Sequence, residues 1–138
     1  MRIMAIDLGD ARTGLAVSDP SGTLTGKAWT VTEWNMDRLA QTIVQTAADQ
    51  GVARLVLGYP KNMDGSLGPR AEKSEAFKAL LETLTTLPII LWDERRTTAS
   101  AEHILQNAGR RGKKKKEIVD AVAASLILEG YLGSLPRQ

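Results

Sequence analysis

The sequence has no cysteine and a single histidine among its 138 residues. Without cysteine, a disulfide framework, a thiolate metal site and a cysteine nucleophile are all excluded. A metal site built from several histidines is excluded for the same reason. The one imidazole, His103, falls on a predicted amphipathic helix, where we expect a surface or packing residue.

Long hydrophobic runs are missing as well. No apolar stretch approaches the roughly 20 residues that are needed to span a bilayer. The first residues carry Arg2 where a signal peptide would need an uninterrupted apolar segment. With 43% hydrophobic and 25% charged residues, the composition is that of an ordinary globular chain. We therefore expect a cytoplasmic protein with no membrane contact, folded as one domain over residues 1–138.

Net charge is also small, at +2, but it conceals an asymmetry. Residues 95–116 hold eight basic residues and one acid, for a local charge of +7, and the remaining chain is −5. This distribution excludes a protein that is basic all round. It leaves a mostly acidic body with one basic element, and local positive charge is what binds a polyanion.

Hydrophobic periodicity predicts an α/β fold with a mixed five-stranded sheet flanked by helices. The first two strands form an antiparallel hairpin, whereas helices between later strands imply parallel crossovers. Residues 58–69 and the basic run at residues 109–116 are predicted to be loops. The predicted strands are 4–8, 14–18, 23–31, 53–57 and 88–92, and the predicted helices are 36–49, 70–85, from 97 or 98 to 109, and 117–132.

Three carboxylates stand in unusual places. Asp7 lies inside an otherwise apolar strand, Glu94 follows the last predicted strand, and Asp120 is the only charge between residues 118 and 128. Each has a structural alternative. Asp7 could accept hydrogen bonds from the amides of the turn at residues 9–14, the acids at 93–94 could pair with neighbouring arginines, and Asp120 could be stabilised by a helix dipole.

The convergence of these carboxylates favours a hard cation. Mg²⁺ prefers carboxylate oxygens and is usually bound together with substrate phosphates. Two such ions about 4 Å apart can activate water and stabilise a leaving oxygen in phosphodiester hydrolysis. No P-loop and no nucleophile-elbow motif competes with this interpretation.

The same residues belong to a wider pattern that resembles the YqgF (RuvX) family of RNase H-like nucleases. The similar segments occur in order and cover nearly the whole chain. They are Ala5-Ile6-Asp7-Leu8-Gly9, Arg12 to Asp19, Gly58-Tyr59-Pro60, Asp64-Gly65, Asp93 to Thr98, and Asp120 with Ala123-Ala124 and Leu126-Ile127-Leu128.

The resemblance implies an RNase H-like fold and metal-dependent phosphodiester cleavage. It further implies a role in maturing the 5′ end of pre-16S rRNA during ribosome biogenesis, or alternatively Holliday junction resolution. Carried over by motif, Asp7, Glu94 and Asp120 become the catalytic residues and the ligands of Mg²⁺ or Mn²⁺. A fourth acid is not obvious, and Glu117 or Asp93 could serve.

Basic residues near these acids are candidates for nucleic-acid binding, because the guanidinium fork of arginine matches phosphate geometry. For the arginines in the flanking loops, ion pairs with Asp10 and Asp93 are an equally good alternative. For the basic run, the alternative is a solvated loop. The candidates are Arg12, Arg95, Arg96, Arg110, Arg111, Lys113, Lys114, Lys115 and Lys116.

Aromatic residues make up only 4% of the chain, so a stacking platform for bases is not expected as the main recognition mode. Recognition of the backbone and the shape of structured RNA, or of a DNA junction, fits the composition better. The protein could act as a monomer or as a homodimer. The long segment at residues 58–68 could line the substrate groove or fold over it.

Two other classes of protein are alternatives to a nuclease. Sugar kinases and actin-like ATPases begin with a similar hairpin, but they need two lobes, which 138 residues cannot supply. A noncatalytic RNA-binding module that keeps the fold is the other alternative.

Overall fold

The structure is a computed structural model that describes residues 1–96 and 112–136. Its centre is a five-stranded sheet with the strand order β3-β2-β1-β4-β5. The elements in chain order are β1 (Arg2–Asp7), β2 (Arg12–Ser18), β3 (Thr25–Thr32), α1 (Met36–Asp49), β4 (Val52–Tyr59), α2 (Pro69–Glu82), β5 (Ile89–Asp93), a 3-10 turn (Glu94–Arg96) and α3 (Gly112–Ser134).

The sheet is mixed, as the element order predicts. Strands β1, β2 and β3 pair antiparallel, whereas β4 runs parallel to β1 and β5 runs parallel to β4. The carboxyl ends of β1, β4 and β5 therefore lie at one edge of the sheet, together with the start of β2. This edge carries Asp7, Arg12, Tyr59 and Asp93.

Alternation along the strands divides the core into two layers. Met4 and Ile6 face one side of the sheet and pack with residues of α1 and α2. Ile3 and Ala5 face the other side and pack with residues of α3. The side-chain period of two along a strand puts Asp7 on the α3 side.

Helix α1 shows how local sequence sets these elements. The Asn35 side-chain Oδ1 accepts a hydrogen bond from the Arg38 N–H at 3.0 Å, which satisfies one of the free amides of the first turn. Leu39 and Ile43 recur at helical spacing and are fully buried. Gly51, with a φ of 66°, lets the chain reverse after the helix into β4.

Apart from those of α1, most of the predicted boundaries differ from the structure by one to five residues, and two of the differences concern the predicted loop at residues 58–69. Gly58 and Tyr59 belong to β4 and not to a loop, because the parallel pairing with β5 continues to Tyr59 opposite Asp93. Pro69 is the first residue of α2, where its missing N–H costs no hydrogen bond.

Helix α3 also departs from the prediction. It begins at Gly112, so Lys113–Lys116 are helical and the predicted loop is wrong at those positions. Lysine loses little rotamer freedom in a helix, so a run of lysines is compatible with the helical pattern. Although the helix is apolar on every face between residues 118 and 128 except at Asp120, it is not buried on every face: Ala124, Ile127 and Leu128 are buried, but Ile118 and Val119 are partly exposed.

The predicted helix from 97 or 98 to 109 lies outside the described residues. Among the helices that are described, none combines the length and the apolar character that a membrane span requires.

Candidate active site

Asp7, the last residue of β1, is a largely buried carboxylate that has no hydrogen-bond donor among the described residues. Burial, followed by the negative charges of Glu94 and Asp120, raises the pKa of Asp7 to about 7. No hydrogen bond to its carboxylate occurs within residues 1–96 and 112–136. The turn amide of Gly9 donates to Thr13 Oγ1 at 3.4 Å, so the structural alternative for Asp7 finds no support here.

Glu94 reaches the same place from β5. It follows the last residue of that strand, and burial raises the pKa of its carboxyl group, an effect opposed by Arg70. The neighbouring strand makes room for it at Gly58. A Cβ on Gly58 would lie 2.8 Å from Ile127 Cδ1 and 3.2 Å from Glu94 Cδ, so a side chain there would displace one of them.

Asp120 is brought to the site by a close contact between α3 and the sheet. Gly14 is paired with Asp7 in the antiparallel register of β1 and β2. A Cβ on Gly14 would lie 1.9 Å from the Asp120 carbonyl oxygen, so only glycine allows the helix backbone to rest there. The Asp120 carboxylate forms an ion pair with Arg12, with Nε 3.1 Å from Oδ2.

The three predicted acids thus come from residues 7, 94 and 120 to one edge of the sheet. As the side chains stand, no set of three acidic or histidine residues in the described ranges is arranged to hold a metal ion. The donor chemistry nevertheless fits a hard divalent cation, because buried carboxylate charge at Asp7 lacks a donor and faces two further acids.

The two candidates for a fourth acid differ. Asp93 is bound by Arg95, whose Nη2 lies 2.7 Å from Oδ2, and this contact lowers the pKa of Asp93 to about 2. The ion-pair alternative therefore describes Asp93 correctly. The side chain of Glu117 lies outside the part of the chain that is described.

Of the predicted basic residues, some form ion pairs in the structure and others lie outside the described part of the chain. Arg12 pairs with Asp120 and not with Asp10, which is bound by Lys73 of α2. Arg95 pairs with Asp93 and also donates to the Met63 carbonyl at 3.4 Å. Arg110 and Arg111 lie outside the described residues. The remaining predicted basic residues are described only in their backbone, and they are Arg96, Lys113, Lys114, Lys115 and Lys116.

The segment that connects β4 to α2 borders the site through Arg95. It is held by its own hydrogen bonds: the Asn62 N–H donates to the Ser66 carbonyl at 3.0 Å, and the Ser66 N–H donates to Asp64 Oδ1 at 2.9 Å. At its tip Met63 is 90% exposed. The segment is therefore exposed at its tip and is linked to the end of β5 through Arg95.

Sequence reasoning missed Arg70. This residue lies in the first turn of α2, and its positive charge lowers the pKa of Asp7, Glu94 and Asp10. Its side chain forms no ion pair among those found in the described ranges. The available signal was a basic residue at a helix N-terminus, where the helix dipole disfavours positive charge.

Gly14 and Gly58 were also missed as site residues. Both interrupt strands that are otherwise rich in branched apolar residues. A glycine inside a strand often marks a close approach of another part of the chain, and that was the signal in the sequence.

Comparison with known proteins gives a match over almost the whole chain. The family model described as "RuvX: Holliday junction resolvase" matches residues 1–134. A protein of Lachnospira eligens named "Putative pre-16S rRNA nuclease" is 42% identical over 137 residues, which cover 97% of this chain and 98% of that protein.

Solved structures match the fold. RuvC of T. thermophilus, in complex with a Holliday junction substrate, has a TM-score of 0.62 at 12% identity, covering 97% of each chain. The Holliday junction resolvase of fowlpox virus has a TM-score of 0.58 at 16% identity, covering 98% of this chain and 100% of that one. These likenesses confirm the RNase H-like fold that the sequence predicts.

Proposed function

The chain belongs to the RuvX family, and from this premise we propose that it is a nuclease that hydrolyses phosphodiester bonds of structured RNA, with the 5′ end of pre-16S rRNA as its target. Relatives named as pre-16S rRNA nucleases and resolvase-fold neighbours support a phosphodiester-cleaving hydrolase that binds nucleic acid. We take the whole chain as the single domain that does this.

The observation that carries the proposal is the state of Asp7. Its carboxylate is buried beside two further acids, and no donor in the described ranges stabilises it. A buried charge is costly unless it is paired or coordinates a metal. A fold gains nothing in stability from such a group, so its presence favours a chemical role.

We assign cation binding to Asp7, Glu94 and Asp120, since carboxylate oxygens suit Mg²⁺ and Mn²⁺. When bound, the cation would supply Lewis acidity for attack of water on the phosphorus. Asp7 and Glu94, at the ends of two sheet strands, provide rigid ligand positions. Asp120 completes the set from α3, where the contact at Gly14 fixes the backbone.

Binding of the phosphate falls to the arginines at this edge. Arg70 is exposed, and its positive charge lowers the pKa of Asp7 and Glu94. This supports a role for its guanidinium in binding the scissile phosphate. Arg12 is half-buried on the other side, against Asp120. Arginine suits both positions because it donates two parallel hydrogen bonds to phosphate oxygens.

Resolution of Holliday junctions is the second candidate, and one observation favours it. The solved structures that match the fold include a RuvC in complex with a junction substrate, with nearly complete coverage of both chains. A resolvase cuts two symmetric strands, so this function requires a homodimer, whereas rRNA trimming is open to a monomer.

One experiment separates these functions. Purified protein is offered a precursor 16S rRNA fragment and a four-way DNA junction, each with Mg²⁺, with Mn²⁺ and with EDTA. We expect cation-dependent cutting of the rRNA at one position, abolished in Asp7→Asn and retained in Asp49→Asn, an exposed carboxylate of α1. Paired symmetric cuts in the junction alone would establish the second candidate. Binding of RNA without cutting under any condition would establish a noncatalytic module.

A further inference from the structure

We infer that Arg12 couples the binding of nucleic acid to the binding of the cation, because it occupies the Asp120 carboxylate until a substrate phosphate draws it away. The inference deepens the proposed function and rests on it. It concerns a positioning role for Arg12, beyond direct contact with phosphate.

The ion pair between these residues is well placed for such an exchange. Arg12 Nε lies 3.1 Å from Asp120 Oδ2, and the two side chains are 34% and 22% exposed. A pair that is partly open to solvent has modest stability, about 1 kcal/mol or less, so a competing ligand can displace either partner.

The two backbones are held in place, so an exchange of partners would involve the two side chains. Arg12 begins β2 and is paired with Thr32 of β3 in the sheet. Two residues further along β2, Gly14 bears directly on the Asp120 carbonyl. The guanidinium and the carboxylate can therefore separate by side-chain rotation alone, without movement of α3.

Arg12 and a divalent cation compete for Asp120. The guanidinium is bound to Oδ2, one of the two carboxylate oxygens that a cation would use. The positive charges of Arg12 and of a cation at the same carboxylate also repel each other. A phosphate that binds Arg12 removes both obstacles, so nucleic acid should strengthen cation binding and the cation should strengthen nucleic-acid binding to the same extent.

Arg95, another arginine near the site, is not paired with a proposed cation ligand. Arg95 is bound to Asp93 through its guanidinium and through its backbone N–H, 3.0 Å from Asp93 Oδ1, and Asp93 is not one of the three proposed ligands. In the described ranges, Arg12 is thus the basic residue paired with a proposed cation ligand.

The first test measures Mn²⁺ binding without nucleic acid, from the electron paramagnetic resonance signal of the free ion. We expect Arg12→Gln to bind Mn²⁺ about three- to fivefold more tightly than wild type. In an Asp120→Asn background the same change should alter the affinity less than twofold. A general effect of the lost positive charge would appear in both backgrounds, and equal increases in both would overturn the inference.

Matched variants make the first test decisive. Arg95→Gln removes a comparable ion pair at Asp93 and should leave Mn²⁺ affinity within twofold of wild type. Arg12→Lys keeps the charge and should also stay close to wild type. If Arg12→Gln melts at a much lower temperature, Arg12→Met tests the same point, and unchanged Mn²⁺ affinity in whichever variant folds counts against the inference.

The second test measures the coupling itself, as the ratio of Mn²⁺ affinities with and without a bound RNA strand that carries a phosphorothioate, which keeps the negative charge, at the cleavage site. Any direct contact between phosphates and the cation contributes to wild type and Arg12→Gln alike, so the difference between their ratios reports Arg12. We expect the larger ratio in wild type, and equal ratios would refute the coupling. Absence of Mn²⁺ binding in wild type would instead refute the proposed function.

Discussion

Gly14 supports the backbone of Asp120 directly: a Cβ at residue 14 would lie 1.9 Å from the Asp120 carbonyl oxygen. Since Gly14 is also the pairing partner of Asp7, this single contact sets the distance between two proposed cation ligands that are 113 positions apart in the chain. The geometry of the site therefore depends on Gly14, which has no side chain and cannot itself bind a cation.

Replacement of Gly14 by alanine should push α3 off the sheet at Asp120. We expect a loss of stability of about 1–3 kcal/mol from overpacking, together with a loss of cleavage larger than the fraction of unfolded protein explains. Thermal denaturation and cleavage rate are measured on the same preparation. Gly133→Ala is the matched control, since nothing lies within 4 Å of a Cβ there, and it should keep full activity. Normal cleavage by a folded Gly14→Ala protein would contradict this role.

Asp7→Asn should stabilise the protein at neutral pH without bound cation. The pKa of Asp7 is about 7 in the folded protein and 3.8 as its ordinary value, so the folded state binds the extra proton between these pH values. Stability of the wild type therefore falls as the pH rises from about 4 to about 7, and the carboxylate remains a cost above that range.

Asparagine resembles the protonated acid and avoids this cost. We expect Asp7→Asn to be more stable than wild type by an amount on the order of 2 kcal/mol at pH 8, and nearly equal to it at pH 4. Urea denaturation in EDTA at a series of pH values gives the difference. Equal stability of wild type and Asp7→Asn at pH 8 would mean that the charge at Asp7 is compensated.

Arg70→Gln should reduce cleavage while the fold is retained. The side chain is exposed, so little packing is lost, but the phosphate loses a charged partner beside the acids. We expect kcat/KM to fall about tenfold or more, as for the loss of a charge-assisted contact. Arg38→Gln, an exposed arginine of α1, is the control and should cleave normally. An unchanged kcat/KM for Arg70→Gln would remove this residue from the site.

Replacement of Lys113, Lys114, Lys115 and Lys116 by glutamine should weaken RNA binding without regard to base sequence. Each lost phosphate contact should lower the slope of log affinity against log salt by about 0.7 for a single strand. Filter binding from 50 to 300 mM salt, roughly the range in which counterion release dominates, gives the slope. A slope that stays at the wild-type value would assign these lysines to solvation of the helix surface.

The sequence alone determined the kinds and order of the elements. Apolar residues at helical spacing predict α1 with the bounds that the structure has, and the apolar runs of β1 and β4 predict buried strands. The same prediction is wrong for β5, which is only partly buried because it lies at the edge of the sheet. Such periodicity is a local property, so it can be read from neighbouring residues. It also exposed Asp7 and Asp120, because a lone carboxylate in an apolar segment stands out against its neighbours.

Tertiary structure alone decided which partners these residues have. An ion pair with Asp10, two positions away, was one alternative for Arg12, yet it binds Asp120, 108 positions away. The charge of Arg70 acts on Asp7 and Glu94 although these three residues are distant in sequence. An ion pair depends on where the sheet and α3 place each side chain in space, and no local pattern contains that distance.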